Sequence, residues 1–154
     1  MAKEIEYKFL TKNDSWKSLE LKSKEIKQGY LTATSKSAIR VRIIGEEAFL
    51  TVKLSTQNLL VRDEYEYQIP LEDGNEMLES CESIVHKIRH IHKVGDLYYE
   101  IDEFLGENKG LVLVEVEVKD ANTVFDKLDF IGADVTHDIR YINANLAMLP
   151  YSKW

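Results

Sequence analysis

The sequence contains little cysteine and lacks any long apolar run. Cys81 is its single cysteine, so an internal disulfide is excluded, and we expect this thiol to pack rather than to react. No segment of the 154 residues approaches the roughly 18 consecutive apolar residues that a membrane span needs. The first residues are charged where a secretory signal would be apolar. We therefore expect a cytoplasmic protein with no membrane partner.

An excess of basic charge is absent as well. The chain has 20 Lys and Arg residues and 27 Asp and Glu residues, which gives a net charge of −7 and a pI near 5.2. This balance argues against nucleic acid as a partner, although it is compatible with a local basic pocket. Hydrophobic residues make up 44% of the chain and charged residues 31%, as is ordinary for a soluble globular protein. The length suits a single domain, residues 1–154, with a sizeable core.

Alternation of apolar and polar residues between turn signals predicts a protein made mainly of β-strands. Gly45 and Gly95 lie between pairs of such segments and predict hairpins, whereas Gly29 inside a segment indicates a bulge or a close backbone approach. Mostly sequential antiparallel strands with few helices indicate an α+β fold, and closing the sheet into an eight-stranded antiparallel β-barrel would remove its edges. The eight predicted strands span residues 4–8, 26–34, 37–44, 48–54, 60–69, 84–93, 97–105 and 111–119.

A few helices are predicted outside the strands. A short one follows the opening strand, and another follows Pro70. The spacing of Val124, Phe125 and Leu128 predicts a further helix over residues 121–130, and a turn is predicted at 143–149. We expect these segments to pack on the outside of the barrel.

Almost every predicted strand has one charged face and one apolar face. Alternate side chains of a strand point to the same side, so Glu4, Glu6 and Lys8 share one face while Ile5 and Tyr7 share the other. The same division recurs along the chain. The charged faces comprise Glu4, Glu6, Lys8, Arg40, Arg42, Thr51, Lys53, Arg62, Glu64, Glu66, Lys87, Arg89, Glu100, Asp102, Glu115 and Glu117.

These faces allow two arrangements of the barrel. In an ordinary small barrel, apolar side chains fill the interior and the charges face water. In an inverted barrel, the charges line a tunnel. Two features favour the inverted arrangement: the basic residues include four arginines, which suit forked contacts with phosphate oxygens, and the acids recur in pairs two residues apart. Such paired carboxylates lie about 7 Å apart along a strand, near enough to hold hard cations together.

The charge of this face suggests a ligand. Eight acids and seven bases give it a formal charge of −1, and two divalent cations together with Arg140 would raise that charge to +4. A triphosphate carries about four to five negative charges near neutral pH. Cations can bridge some phosphate oxygens while Arg and Lys hold the others. We therefore expect a nearly neutral interior when a triphosphate and metal ions are bound.

An ordered set of short motifs extends over nearly the whole chain. It begins with Glu4-x-Glu6-x-Lys8. The later motifs are Gln28-Gly29-Tyr30-Leu31, Arg40-x-Arg42, Leu50-Thr51-Val52-Lys53, Arg62-x-Glu64-x-Glu66, Lys87-x-Arg89, Glu100-x-Asp102-Glu103-Phe104, Glu115-x-Glu117, Arg140-Tyr141 and Asn145-Leu146-Ala147. In these motifs the chain resembles the CYTH superfamily, the triphosphate tunnel metalloenzymes, with the first motif similar to the family's ExExK signature. The resemblance implies an eight-stranded antiparallel barrel whose tunnel binds a triphosphate with divalent metal.

The resemblance also implies an activity. The chain is most similar to short bacterial members that hydrolyse inorganic tripolyphosphate, a small-molecule substrate. Class IV adenylyl cyclase, which converts ATP to cyclic AMP, and thiamine triphosphatase are alternatives within the family. A non-catalytic polyphosphate- or nucleotide-binding module is an alternative of another class. A monomer and a homodimer both remain open.

Residue roles follow from the resemblance position by position. It implies two ions, Mg²⁺ or Mn²⁺, with one bound to the phosphates and the other to the attacking water. The implied metal ligands are Glu4, Glu6, Glu64, Asp102, Glu115 and Glu117. The implied phosphate contacts are Lys8, Arg40, Arg42, Lys53, Arg62, Lys87, Arg89 and Arg140.

Lys8 and Tyr30 are similar to a Lys-Tyr pair that assists deprotonation of water in tripolyphosphatases of this family. In that role Lys8 must lose its proton, which crowding by other cations would favour. The alternative is that Lys8 only binds phosphate.

Overall fold

The computed structural model describes residues 2–154, and within them nine β-strands and two α-helices form. The strands are β1 (Ala2–Thr11), β2 (Lys22–Ala33), β3 (Ser37–Ile44), β4 (Glu47–Ser55), β5 (Val61–Ile69), β6 (Ile84–Val94), β7 (Leu97–Phe104), β8 (Val112–Glu117) and β9 (Ile131–Asp134). The helices are α1 (Leu71–Glu79) and α2 (Asn143–Met148), and short 3₁₀ turns occupy Ser15–Ser18, Gly106–Asn108, Ile139–Tyr141 and Tyr151–Lys153. The eight predicted strands and the α+β class are confirmed.

Strand β1 closes the sheet into a barrel. The sheet runs β5-β4-β3-β2-β6-β7-β8-β1, and β1 also pairs with β5. Residues 2–5 of β1 lie antiparallel to β5, and residues 6–10 lie antiparallel to β8. All eight strands of this ring therefore have neighbours on both sides, as the edge argument predicted. Strand β9, which the sequence did not predict, adds to the end of β1 next to Thr11.

Helix α1 lies unusually close to the outside of the barrel, and small residues allow it. A Cβ atom added to Gly29 of β2 would lie 2.6 Å from Cys81 Sγ, just beyond the helix. A Cβ atom added to Gly74 of α1 would lie 2.5 Å from the Cβ of Ala48 on β4. The expected close approach at Gly29 is confirmed, and Cys81 packs there while its thiol donates to the carbonyl of Met77.

The predicted helix at 121–130 is wrong, because this segment is irregular. The Asp120 carboxylate accepts a hydrogen bond from the Asn122 backbone N–H, which favours a turn over the first turn of a helix. Phe125 packs on the apolar outer wall of the barrel, whereas Val124 is 92% exposed. Contact with the barrel therefore orders the segment without helical hydrogen bonds.

Apolar residues pack both outside the barrel and at one end of its interior. The outer-wall cluster consists of Phe9, Trp16, Tyr99, Ile101, Val114, Val116, Val118, Phe130 and Ile131. The end cluster consists of Val85, Phe104, Leu111, Leu113, Val135, Tyr141, Leu146 and Ala147. Leu113 shares the strand face of Glu115, and Leu146 belongs to α2, so the C-terminal helix fills this end of the interior. No helix among residues 2–154 is long and apolar enough to cross a membrane.

Candidate active site

The charged strand faces point into the barrel and surround a cavity of about 780 Å³. Five of the predicted cations converge on this cavity with side chains only 7–18% exposed, namely Arg40, Arg42, Lys53, Arg62 and Arg89. The charged faces therefore line the interior, which confirms the inverted arrangement of the barrel. Thirteen of the fifteen predicted site residues line the cavity: Glu4, Glu6, Lys8, Tyr30, Arg40, Arg42, Lys53, Arg62, Glu64, Lys87, Arg89, Glu115 and Glu117.

Acidic residues of β1 and β5 form one group on the cavity wall. Lys53 Nζ lies 2.9 Å from Glu4 and 3.2 Å from Glu64, and Arg62 donates to Glu6 over 2.9 Å. Glu4 and Arg62 are paired across β1 and β5, and Lys53 and Glu64 across β4 and β5, so strand register brings the group together. Each carboxylate here already has a basic partner.

Close packing of these carboxylates changes how readily they hold protons. Burial and a hydrogen bond shared with Glu4 raise the pKa of Glu64 to about 7. Burial and repulsion from Glu115 and Glu4 raise the pKa of Glu6 well above its usual value. Burial acts most strongly on Glu4, but the charges of Lys53 and Arg62 together with hydrogen bonds to Glu64 and Glu6 outweigh it and hold the pKa of Glu4 well below its usual value. Burial and the neighbouring carboxylates therefore leave Glu6 and Glu64 poorly stabilised as anions despite their basic partners, and a hard cation would stabilise them.

Arg89 organises a second group on β6, β7 and β8. Its Nη1 lies 2.7 Å from Glu100, its Nε lies 2.8 Å from Asp102, and its Nη2 lies 3.1 Å from Glu115. Lys87 Nζ binds the other oxygen of Asp102 over 2.7 Å. Burial opposes ionisation of Asp102, but Arg89 and Lys87 hold the pKa of this carboxyl well below its usual value. Burial lowers the pKa of Lys87 to about 8, partly offset by Asp102.

Arg40 and Arg42 of β3 carry unused donors. Arg42 Nη2 donates to Glu66 over 2.9 Å, and Arg40 Nη2 donates to the Thr51 hydroxyl over 3.2 Å. The Nε atoms of both guanidinium groups are buried and find no hydrogen-bond partner among residues 2–154. Buried donors without partners are costly, so these two groups fit an anion with many acceptor oxygens.

Lys8 and Tyr30 line the same cavity, but no hydrogen bond joins them among the described residues. Lys8 Nζ donates to the Tyr141 carbonyl over 3.2 Å and lies 3.6 Å from Glu115 and 3.9 Å from Glu6. Its nearest charged partners are thus carboxylates rather than the cations expected from the sequence. The catalytic pairing of Lys8 with Tyr30 stays a prediction.

Two predicted site residues lie outside the cavity. Asp102 is fully buried behind the wall, and Arg89 and Lys87 engage both of its carboxylate oxygens. Arg140 is bound to Asp138 over 2.7 Å, lies over the Trp154 ring, and has a side chain 56% exposed. A metal contact by Asp102 or a phosphate contact by Arg140 would require a different arrangement of that side chain.

Four further residues belong to the site or support it. Glu66 and Glu100 line the cavity, although only their place on the charged faces was predicted and not a ligand role. Asn143 of α2 lines the cavity too, and Gln28 lies behind Tyr30. Asn143 lies outside the strands, so alternation of residues could not indicate which way its side chain points.

Metal fit can be judged from the donor set. Within residues 2–154, no group of three or more Asp, Glu, His or Cys side chains is already positioned to hold an ion. The cavity carboxylates are instead paired with Lys and Arg. Carboxylate oxygens are nevertheless the ligands that Mg²⁺ and Mn²⁺ prefer, and the raised pKa of Glu64, caused by burial and Glu4, indicates that added positive charge would be favourable.

Comparison with known proteins agrees with this geometry. Residues 2–141 match the CYTH domain. The chain is 44% identical over 156 residues to a protein named inorganic triphosphatase from Acetivibrio thermocellus, covering 100% of this chain and 99% of the relative. It is 37% identical over 150 residues to a protein of the same name from Nitrosomonas europaea, covering 94% and 97%. The crystal structure of the inorganic triphosphatase NE1496 matches with a TM-score of 0.70 and 35% identity, covering 96% of each chain.

Proposed function

The chain belongs to the CYTH domain family, and on that premise we propose that it is a metal-dependent triphosphatase. Its substrate is inorganic tripolyphosphate, which it hydrolyses to pyrophosphate and phosphate inside the barrel. The observation that carries the proposal is the convergence of five shielded cations on a cavity whose wall also holds paired carboxylates. The shared name of the two relatives, which the chain matches over nearly its full length, supports the same activity.

Phosphate binding is assigned to the cations of the wall. Arg40 and Arg42 have buried Nε donors that lack partners among residues 2–154, so phosphate oxygens would complete their hydrogen bonding. Charge stabilisation of the transferred phosphoryl group in such a shielded site is commonly the largest catalytic contribution. The remaining cations that we assign to phosphate are Lys8, Lys53, Arg62, Lys87 and Arg89.

The carboxylates are assigned to two Mg²⁺ or Mn²⁺ ions. The cavity acids that fit them are Glu4, Glu6, Glu64, Glu115 and Glu117. The ions would neutralise phosphate charge and acidify the attacking water. Lys8 and Tyr30 are assigned to the handling of the proton from that water, because both line the cavity.

Phosphate release from tripolyphosphate with Mg²⁺ or Mn²⁺ tests this function. ATP, thiamine triphosphate and pyrophosphate are run in parallel, and products are identified by chromatography. We expect tripolyphosphate to be turned over with the highest kcat/KM and EDTA to abolish turnover. Cyclic AMP as the main product from ATP would establish a cyclase instead. Tight triphosphate binding without any turnover would establish a binding module.

Location and partners are part of the proposal. A small anionic substrate and the absence of a membrane-spanning helix among residues 2–154 are compatible with an enzyme of the cytoplasm. The substrate cavity is formed within one chain, so a monomer is sufficient for activity. Light scattering coupled to size-exclusion chromatography distinguishes a monomer from a homodimer.

A further inference from the structure

A chain of hydrogen bonds in the cavity wall ends on the Tyr30 hydroxyl. Lys87 Nζ donates to Asn143 Oδ1 over 2.9 Å. Gln28 Nε2 donates to the same oxygen over 3.1 Å and to Tyr30 Oη over 3.2 Å. The chain connects β6, α2 and β2, so the Asn143 amide links helix α2 to both strands.

The direction of each hydrogen bond in this chain follows from its first member. An ammonium group only donates, so the Asn143 atom that faces Lys87 must be its carbonyl oxygen. That oxygen only accepts, so the Gln28 atom that faces it must be the amide nitrogen. Since the same nitrogen faces Tyr30, the phenol oxygen accepts. An amide flip of either side chain would bring two donors or two acceptors together.

Tyr30 is left with its own proton to donate. Its hydroxyl has one donor and has already accepted from Gln28, and it donates to no group among residues 2–154. Tyr30 lines the cavity, so the interior is where this proton can be used. The hydroxyl is thereby prepared as a hydrogen-bond donor to a phosphate oxygen or to the attacking water.

The amide of Gln28 lowers the stability of the fold, which a residue that serves packing alone would not do. The side chain is 0% exposed, and its Oε1 is buried without a partner among the described residues. A buried acceptor without a donor disfavours folding, and an apolar side chain of similar length would avoid that cost. A buried polar group with such a cost is typical of a functional site rather than of an apolar core.

We infer that Gln28 and Asn143 are positioning residues that hold the Tyr30 hydroxyl as a hydrogen-bond donor into the cavity. This inference rests on the proposed triphosphatase function for its catalytic consequence, but the orientation of Tyr30 stands independently of it. Gln28 acts on Tyr30 directly, and Asn143 acts through Gln28. Lys87 sets the direction of both amides.

Replacing Gln28 with Met tests the inference in the whole protein. Met has similar length and no polar atoms, so we expect the melting temperature to be equal to or above that of the wild type. We expect kcat for tripolyphosphate to fall about tenfold or more with KM changed less than about twofold, because substrate contacts are untouched. Adding Gln28→Met to Tyr30→Phe should cost less than about twofold, because the residue then has nothing to position.

Control variants distinguish a loss of Tyr30 positioning from a general disturbance of the fold. Gln68→Met, at the exposed end of β5, should leave kcat and KM unchanged. Asn143→Leu should lower kcat as Gln28→Met does, since the Gln28 amide is then free to turn. Asn143→Asp keeps an acceptor for both donors, so kcat should stay within about twofold of the wild type although the added charge raises KM. If Gln28→Met does not fold, the comparison of Asn143→Leu with Asn143→Asp tests the inference instead.

A spectroscopic measurement without substrate checks the orientation of Tyr30 directly. The tyrosine doublet in ultraviolet resonance Raman spectra separates phenol oxygens that accept hydrogen bonds from those that donate. The difference between wild type and Tyr30→Phe should show a phenol that accepts a hydrogen bond as well as donating one, and in the Gln28→Met background the doublet should shift towards that of a phenol that only donates. If the wild type is active and both Gln28→Met and Asn143→Leu keep full kcat, the inference is overturned. A wild-type protein without triphosphatase activity overturns the proposed function, and the Raman difference then decides the orientation alone.

Discussion

At the scale of single residues, Asp102 differs from the other acids of the barrel interior. It is fully buried and forms ion pairs with both Arg89 and Lys87, whereas Glu117 lies at the exposed end of β8. Removing one member of a buried ion pair leaves uncompensated charge in a medium that solvates it poorly. Asp102 therefore supports the positions of two cavity cations from behind.

Asp102→Asn should lower the free energy of unfolding by about 3 kcal/mol even in EDTA. Its folded pKa lies below the ordinary 3.8 because Arg89 and Lys87 outweigh burial, so this stabilisation is present above that pH and is lost as the pH falls through the lowered value. Urea denaturation at pH 7 measures the loss. Glu117→Gln is the matched control and should change stability little. Equal stability of Asp102→Asn and wild type in EDTA would contradict a structural role for Asp102.

The raised pKa of Glu64 predicts that the stability of the fold changes with pH in the opposite direction. Its folded pKa of about 7, raised by burial and Glu4, exceeds the ordinary 4.5, so between these values the folded protein binds more protons than the unfolded protein. Stability from this group is present below pH 4.5 and is lost as the pH rises to 7. In EDTA, the melting temperature of the wild type should fall between pH 5 and pH 8, and it should fall less in Glu64→Gln. The same fall in both proteins would show that Glu64 does not carry the shift.

Site residues could be predicted from the sequence where strand alternation fixes the direction of a side chain. Arg40 and Arg42 illustrate this, since alternation placed both on one strand face, and the arginines and paired acids of such faces favoured the interior, where both residues lie. Asp102 shares its strand face with Glu100, but the two differ in depth, which a period of two residues cannot indicate. Asn143 follows a 3₁₀ turn, and only the folded chain brings it to Lys87.

At the scale of elements, the strands of the barrel and the helix after Pro70 were predictable, whereas the segment at 121–130 and strand β9 were not. Strands between a charged interior and an apolar outer wall must alternate, so their sequence shows their structure. The segment at 121–130 is held instead by long-range contacts: Tyr7 and Tyr99 donate to the carbonyls of Ala121 and Asp126. Strand β9 has four residues, including Gly132, and forms by pairing with β1.

Helix α1 provides a prediction at this scale. Gly74→Ala improves helix propensity by about 1 kcal/mol, but the new Cβ would meet Ala48. Displacing a packed helix typically costs about 1–3 kcal/mol, so we expect a net loss of stability in urea denaturation. Asn75→Ala, on the exposed side of the same helix, should stabilise by a few tenths of a kcal/mol, about the difference in propensity. A Gly74→Ala protein more stable than wild type would contradict the close packing.

At the scale of the whole molecule, cations and carboxylates of the interior neutralise one another in the absence of ligands. Lys53 holds Glu4 and Glu64, and Arg62 holds Glu6. A triphosphate that draws these cations to its own oxygens would leave the carboxylates available to metal ions. Substrate and metal should therefore strengthen each other's binding, as linkage requires.

Calorimetry can measure this coupling with diimidotriphosphate, in which nitrogen replaces both bridging oxygens of tripolyphosphate and hydrolysis is prevented. We expect Mn²⁺ to bind at least about tenfold more tightly to the protein saturated with this analogue, after correction for Mn²⁺ bound by the free analogue. Lys53→Met removes the basic partner of Glu4 and Glu64 before the analogue binds, so the coupling should be smaller in that variant. Equal Mn²⁺ affinity with and without the analogue would show that the interior ion pairs do not exchange.

We propose that the charged interior of the barrel holds the triphosphate and its metal ions together. A crystal structure with Mn²⁺ and diimidotriphosphate, with data collected at the manganese absorption edge, tests it most directly. We expect phosphate oxygens in contact with Arg40 and Arg42, and anomalous peaks beside Glu4, Glu64 and Glu117, all within the cavity. An analogue bound only outside the barrel, or manganese peaks away from these carboxylates, would contradict it.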